Sequence, residues 1–389
     1  MNIGIFSLET INNAGDEILG ETTQWFVHQN ADKINVRRIQ FSPDKHLLIG
    51  KYPVQLFLCK IIRIFADIFP QGNFKYKLLN AAYKIKLSRY YHDEMKQLDG
   101  VITAIGMLKF TTQNFSYLYD LLLKEAGMLR LPVMISAASI AEKNDEDWRC
   151  EQLKEVVKNP SLKIITTRDG RQGLERLKKE YPVRSDVFCD YVGDPALWIP
   201  EVYNVRKADG KRCIGINVIR SNIYLSYGGH TSEDEMFDFY VKMISALYKK
   251  GESFKLFCNG ITDDYEVGKK ILQRLNLSDD YLCPKPENAK QFFSVISQFD
   301  IVFGARLHAC LSSYALDIPV IGLLWDDKLR FFSDNAGIKN YFLEENQLIG
   351  EKAAELLINS RKYIYDHNIR DHYKNRTKES IGKFLNEYL

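Results

Sequence analysis

A chain of 389 residues, 46% hydrophobic and 26% charged, has an ordinary globular composition and enough length for two domains, each with its own core. The formal net charge of +3 is close to neutral for this size and gives no basis for nucleic-acid binding. Seven cysteines, scattered from Cys59 to Cys310 with no CxxC pair, read as buried, reduced thiols of a cytoplasmic protein.

The opening Asn2 to Ser7 reads as a strand, not as the charged start of a signal peptide. The longest apolar run, 54–69, is broken by Lys60, Arg63 and Asp67, which argues against a membrane-spanning helix. Short apolar, β-rich runs alternate with longer amphipathic stretches. They predict strands at 2–7, 34–39, 100–105, 133–137, 163–167 and 186–189, then at 212–218, 253–258, 300–303 and 319–323. Helices should fill most intervals, and 345–389 reads as helical and charged. The polar, turn-rich 203–211 is the expected linker, giving domains 1–206 and 207–389. This is an α/β pattern of two Rossmann-like domains with mostly parallel sheets and a central cleft, and it resembles the GT-B class. In such folds a C-terminal helix often packs back across the cleft.

An insertion at about 41–97 interrupts the first domain. Between 51 and 91, eight basic residues (Lys51, Lys60, Arg63, Lys75, Lys77, Lys84, Lys86, Arg89) face Asp67 alone, so the rest of the chain carries a net negative charge. Aromatic residues are interleaved with them: Phe57, Phe65, Phe69, Phe74, Tyr76, Tyr83, Tyr90 and Tyr91. Two readings stand side by side. One is a helical subdomain with aromatics in its core and lysines in water; the other is a basic amphipathic surface resting on anionic lipid at the inner face of the plasma membrane.

The chemistry concentrates near the C-terminal end. Phe303-Gly304-Ala305-Arg306-Leu307-His308 reads as a strand end, a small-residue turn and a helix opening; Ile318-Pro319-Val320-Ile321-Gly322 is a second buried strand running into Trp325-Asp326-Asp327-Lys328. Arg306, His308 and Lys328 are thereby expected at the carboxyl ends of neighbouring strands, where open α/β sheets hold ligands. Two cations and an imidazole beside a helix N-terminus suit an anionic ligand that needs a proton moved.

These residues resemble the C-terminal signature of the polysaccharide pyruvyl transferases. Asn13-Ala14-Gly15-Asp16-Glu17 resembles the segment after that family's first strand, and Thr167-Arg168-Asp169 a further element near the end of the first domain. The resemblance implies transfer of pyruvate from phosphoenolpyruvate onto two hydroxyls of one sugar of a bacterial capsule, exopolysaccharide or lipid-linked precursor, as a cyclic ketal with release of phosphate. Phosphoenolpyruvate is then a donor substrate, and no cofactor or metal is expected.

The donor's phosphate and carboxylate call for fixed cations: Arg306 and Lys328 first, then Arg220, with Leu307 beside them. His308, with an intrinsic pKa of roughly 6.5, serves either as general acid toward the vinyl carbon or as a hydrogen-bond donor to the leaving phosphate. Asp16 or Glu17 is the candidate base, or else a first-turn carboxylate favoured by the helix dipole. Asn13, Arg168 and Asp326 are assigned to the acceptor. The plainer reading makes Arg168 and Asp169 a cap with its ion-pair partner, and Asp326 a helix cap or the partner of Lys328.

The acidic pairs Asp263-Asp264, Asp279-Asp280 and Asp326-Asp327 lack neighbouring His or Cys, so no metal site is expected. P-loop, GxGxxG and GxSxG patterns are missing, which removes ATPase, dehydrogenase and hydrolase readings. A nucleotide-sugar glycosyltransferase would use the same cations and helix N-terminus. Gly106 stands alone where the family's turn is Gly-rich, which keeps a non-catalytic binding protein of polysaccharide assembly as a third reading.

Overall fold

A computed structural model describes residues 1–9, 13–30, 33–70, 73–108, 115–140, 142–144, 147–210 and 212–389, the side chains of 45 and 73 excepted. The chain forms two units: Met1–Ile11, Leu19–Gly193 and Asn375–Leu389 make the first, and Asn12–Ile18 with Asp194–Lys374 make the second.

The first unit holds six parallel strands: β1 (Asn2–Ser7), β2 (Asn35–Gln40), β3 (Gly100–Thr103), β4 (Val133–Ile135), β5 (Leu162–Thr167) and β6 (Phe188–Tyr191), in the order β2-β1-β3-β4-β5-β6. Helices cover both faces of a parallel sheet, so its inner strands are apolar almost throughout; β3 and β4 are buried at every position. The edge strand β2 instead alternates exposed and half-buried residues through Asn35, Arg37 and Arg38, and its charges discourage pairing with another chain.

Helices Lys45–Ile49, Pro53–Asp67 and Asn73–Met95 form the insertion. Its aromatics divide. Tyr90 and Tyr91 are buried and donate hydrogen bonds to the carbonyls of Gln40 and Phe41, whereas Phe57, Phe65 and Phe74 are exposed. The final helix, His367–Tyr388, supplies its last turns to this unit; Thr377 Oγ1 donates to the Gly193 carbonyl at 2.9 Å and Arg376 pairs with Asp190.

The second unit repeats the plan with β7 (Ile214–Asn217), β8 (Phe254–Phe257), β9 (Ile301–Gly304), β10 (Val320–Leu323) and β11 (Phe342–Leu343), all parallel, in the order β11-β10-β9-β7-β8. Every predicted strand forms, within a few residues of its expected bounds. The two-residue β11 is additional. It packs over Gly322, where a Cβ would lie 2.1 Å from the Phe342 ring.

The units part at Gly193 and Asp194, ahead of the polar 203–211 stretch expected to link them. The reason is burial: Ala196, Leu197 and Ile199 join the core built on Phe292, Phe293, Val302 and Leu311, so the chain is committed to the second unit before its polarity changes. Residues 12–18 belong there as well, with Ala14 and Ile18 in the same core.

Candidate active site

In the second unit β8 lies on one side of β7, and β9, β10 and β11 on the other, so the chain reverses direction across the sheet between β7 and β9. At that point the helices after two adjacent strands lie on opposite faces, which opens a crevice at the carboxyl ends. Asn217 ends β7 there and is fully buried. Its Oδ1 accepts the N–H groups of Ala305 (3.3 Å) and Arg306 (3.0 Å), while Nδ2 donates to the Phe257 carbonyl (3.3 Å) and Asn259 Oδ1 (3.1 Å). One neutral amide thus ties together the ends of β7, β8 and β9 and satisfies buried backbone groups that would otherwise be costly.

Arg306 follows as the N-cap residue of helix Leu307–Ala315. Its Nε and Nη2 donate to Asp264 Oδ2 and Oδ1 at 2.6 and 2.8 Å. Asp264 is fully buried in the first turn of helix Thr262–Leu275 and also accepts the backbone N–H of Arg220 at 3.0 Å. This planar two-point contact fixes the guanidinium and answers much of its charge. The guanidinium of Arg220 has no ion-pair partner among the described residues, and its buried Nε makes no hydrogen bond. Leu307 packs against the core of the second unit.

His308, in the first turn of the same helix, places Nε2 3.8 Å from Asp194 Oδ2; both side chains are largely buried. Asp194 uses Oδ1 to cap the turn Pro195–Trp198 through the Ala196 N–H at 2.8 Å. Under the imidazole lies Gly15, where a Cβ would come within 2.1 Å of Nδ1. Only a residue without a side chain leaves the ring this position. The Cys310 thiol, two residues further on, is buried and its pKa is pushed well above the usual range by desolvation, so it is no nucleophile.

The segment preceding Gly15 is held in the same unit by the Ala14 N–H, which donates to the Asn259 carbonyl at 3.1 Å. Asn13 Nδ2 donates to Asp16 Oδ2 at 2.9 Å, and its Oδ1 accepts the Gly15 N–H at 3.2 Å. Glu17 Oε2 accepts the N–H of Ala289 at 2.8 Å, at the N-terminus of helix Ala289–Ile296, where the helix dipole favours a carboxylate. After β10, Asp326 Oδ1 accepts the Leu329 N–H at 3.0 Å as the cap of helix Asp327–Asn335, and Oδ2 lies 3.1 Å from Lys328 Nζ. Asp326 therefore serves both as cap and as partner of Lys328. Trp325 Nε1 donates to the Ala305 carbonyl at 2.6 Å, linking the ends of β9 and β10.

The fold thus brings Asn13, Asp16, Glu17, Arg220, Arg306, Leu307, His308, Asp326 and Lys328 into one unit. Arg168 belongs to the other, where it follows β5 and Nη2 donates to the Gly106 carbonyl at 2.9 Å. Beside it the buried Asp169 accepts Ser139 Oγ at 3.0 Å and the Ile140 N–H at 2.7 Å, and burial raises its pKa to about 6. Asp169 occupies the N-cap position of helix Gly170–Glu180 without a side-chain capping bond, so its role is to fix the loop after β4.

Asn217, Asp264 and Asp194 were not singled out by sequence reasoning. Gly193-Asp194-Pro195 carried a usable turn signal; Asp264 looked like half of an acidic pair, and Asn217 like the last residue of a strand.

The family model for polysaccharide pyruvyl transferase matches residues 13–327, from the turn under His308 to the helix opened by Asp326. The chain belongs to the polysaccharide pyruvyl transferase family. Its family is one of transferases acting on polysaccharide, and the Arg306, His308 and Lys328 block and the Asn13 to Glu17 turn both lie within the match. No curated protein matches the chain. Among solved structures this pyruvyl transferase family member is similar to UDP-GlcNAc 2-epimerase from Neisseria meningitidis (12% identity, 99% of each chain covered, TM-score 0.58). It is also similar to the Methanocaldococcus jannaschii UDP-GlcNAc 2-epimerase (10%, 99% of each chain, 0.58). A third is an α,α-trehalose-phosphate synthase from Burkholderia vietnamiensis (8%, 100% and 99%, 0.51). At these identities the likeness is one of fold, two parallel-sheet α/β domains of the GT-B kind.

Proposed function

We propose that this chain moves pyruvate from phosphoenolpyruvate onto two hydroxyls of one sugar, in a cell-surface polysaccharide or its lipid-linked precursor, forming a cyclic ketal and releasing phosphate. One observation carries the reading: His308, faced by Asp194, sits at a helix N-terminus next to Arg306, whose partner Asp264 also holds the backbone of Arg220, and the Arg220 guanidinium has no carboxylate partner among the described residues. Phosphate and carboxylate need such a cation, and the vinyl carbon needs a proton.

In this mechanism His308 gives its proton to the donor's CH2 group, and the adjacent carbon takes on positive character. A sugar hydroxyl adds to that carbon and loses its proton to a base, Asp16 or Glu17, the first held by the Asn13 side-chain amide and the second by the Ala289 amide. The C–O bond to phosphate then breaks, the phosphate leaving with the proton taken from the first hydroxyl, and the second hydroxyl closes the ring as its proton passes to His308 and restores the acid. Asp194 stabilises the imidazolium before transfer and holds the ring's direction. Arg220 and Lys328 bind the donor's anionic groups, and Arg306, fixed by Asp264, lines the same site. Arg168, Asn13 and Asp326 are proposed on the acceptor side. No cofactor enters the scheme.

The test is incubation with phosphoenolpyruvate and a panel of synthetic or lipid-linked glycosides, followed by mass spectrometry of the sugar and assay of free phosphate. A pyruvate ketal formed together with phosphate, and lost in His308→Ala, is the expected result. Sugar transfer from a nucleotide sugar, with phosphoenolpyruvate inert, would replace this reading with glycosyl transfer.

A further inference from the structure

Helix Pro53–Asp67 presents an apolar stripe to solvent. Val54, Phe57, Leu58, Ile61, Ile64, Phe65 and Ile68 follow the spacing of one helix face, and at 3.6 residues per turn they fall within an arc of about 120°. They are 43–73% exposed, whereas Cys59 and Ala66 on the opposite face are buried. Among the described residues, ten of the seventeen exposed large hydrophobic side chains lie between Leu47 and Phe74, so the apolar exposure belongs to this insertion and not to the surface at large.

The surrounding charge selects the occupant. Lys60 and Arg63 on the same helix, and Lys77 and Lys84 on helix Asn73–Met95, are exposed and have no ion-pair partner among the described residues. Asp67, the helix's one acidic residue, is already paired with Lys75 at 3.4 Å. A second copy of this chain docking through the same stripe would bring a second set of these cations against the first, and like charges oppose such a two-fold contact. An anionic bilayer offers hydrocarbon to the stripe and headgroup charge to Lys60, which flanks the stripe about 100° round the helix from its centre, while the other cations add long-range attraction to the surface. We propose that helix Pro53–Asp67 docks by its apolar stripe on an anionic lipid bilayer surface, lying in the plane of the headgroups. The helix does not cross the membrane: among the described residues no helix is long and apolar enough to do so.

This inference is independent of the pyruvyl reading, and vesicles containing neither donor nor acceptor test it. The full chain is sedimented with vesicles of phosphatidylglycerol and phosphatidylcholine, and with phosphatidylcholine alone. Binding to the anionic vesicles is expected, weakening severalfold as salt is raised toward about 0.5 M, where charges are screened within a few ångströms. The variant F57S/I61S/I64S changes only exposed side chains and should keep its thermal transition while losing about tenfold in vesicle affinity. Turnover of a soluble, lipid-free acceptor should be unchanged. Failure of the wild-type chain to bind anionic vesicles overturns the proposal, as does equal binding by the variant. A wild-type dimer that the variant turns into a monomer, with no vesicle binding by either, assigns the stripe to a copy-to-copy interface instead.

Discussion

Asp264 holds Arg306 by two parallel hydrogen bonds, 2.6 and 2.8 Å long, from a position with no exposure to solvent. A pair of this kind costs more to break than it contributes, because removing either member strands the other charge in a poorly solvated place. Asp264→Ala should therefore lower unfolding stability by about 3 kcal/mol in urea titration. Arg306→Lys should lower it as well, since an ammonium cannot occupy both carboxylate oxygens in one plane. A loss near zero for both variants would show that the pair is solvated in the folded protein.

Arg220 presents the opposite case. Its guanidinium meets no carboxylate among the described residues, so Arg220→Gln should leave the thermal transition within about 0.5 kcal/mol of wild type. Under the proposed reaction the same change should raise KM for phosphoenolpyruvate at least about tenfold, as expected for loss of a charge-assisted hydrogen bond. An unchanged KM would remove Arg220 from the donor site.

Asp194→Asn keeps a good capping side chain for the turn Pro195–Trp198 and removes the negative charge facing His308. The expected outcome is a kcat lower by about 10 to 100-fold, part of the roughly 100 to 10,000-fold attributed to general acid catalysis, with KM for the donor little changed. Gly15→Ala should act on the same imidazole by steric means. A Cβ at 2.1 Å from Nδ1 must displace the ring, and a shift of about 1 Å can cost about 100-fold in rate. If Gly15→Ala turns over normally, His308 is not the group that delivers the proton.

Asp169 supplies a pH test in the first unit. Burial raises its pKa from 3.8 to about 6. Between those values the folded protein binds a proton that the unfolded chain does not, so this group's contribution to stability falls as pH rises from about 4 to 6 and the full penalty persists above that. Asp169→Asn still accepts from Ser139 and Ile140 but has nothing to titrate. The stability of the variant relative to wild type should grow over that pH window by about 1 to 3 kcal/mol, read from denaturation midpoints at several pH values. A difference that is flat with pH would mean that the carboxyl is better solvated than its burial indicates.

The ten expected strands were legible because strands buried on both faces must be apolar nearly throughout, a pattern local to each run. β11 escaped for the same reason in reverse: two residues, Phe342 and Leu343, are too few to make a pattern, and their place is set by Gly322 on the neighbouring strand. The Arg306 to Lys328 block was readable because both strand ends and both helix openings lie within it. Its partners were not. Asp264 is 42 residues from Arg306 in sequence, and Asp194 meets His308 only through the packing of Pro195–Trp198 on the second unit's core. The polarity of 203–211 led to the expectation of a linker there, but the change of unit depends on which core the apolar residues before it enter, and composition does not report that.

The exchange of residues 12–18 into the second unit has a consequence for how the protein can be made and cut. Ala14 and Ile18 belong to a core otherwise formed after residue 193, and the Ala14 amide needs the carbonyl of Asn259. During synthesis helix Ala14–Asn30 emerges long before its opening turn has anything to bind, so completion of this site waits on the C-terminal half of the chain. A fragment spanning 194–374 would lack both the core residues and the glycine beneath His308, and should recover them from a peptide that carries 12–30.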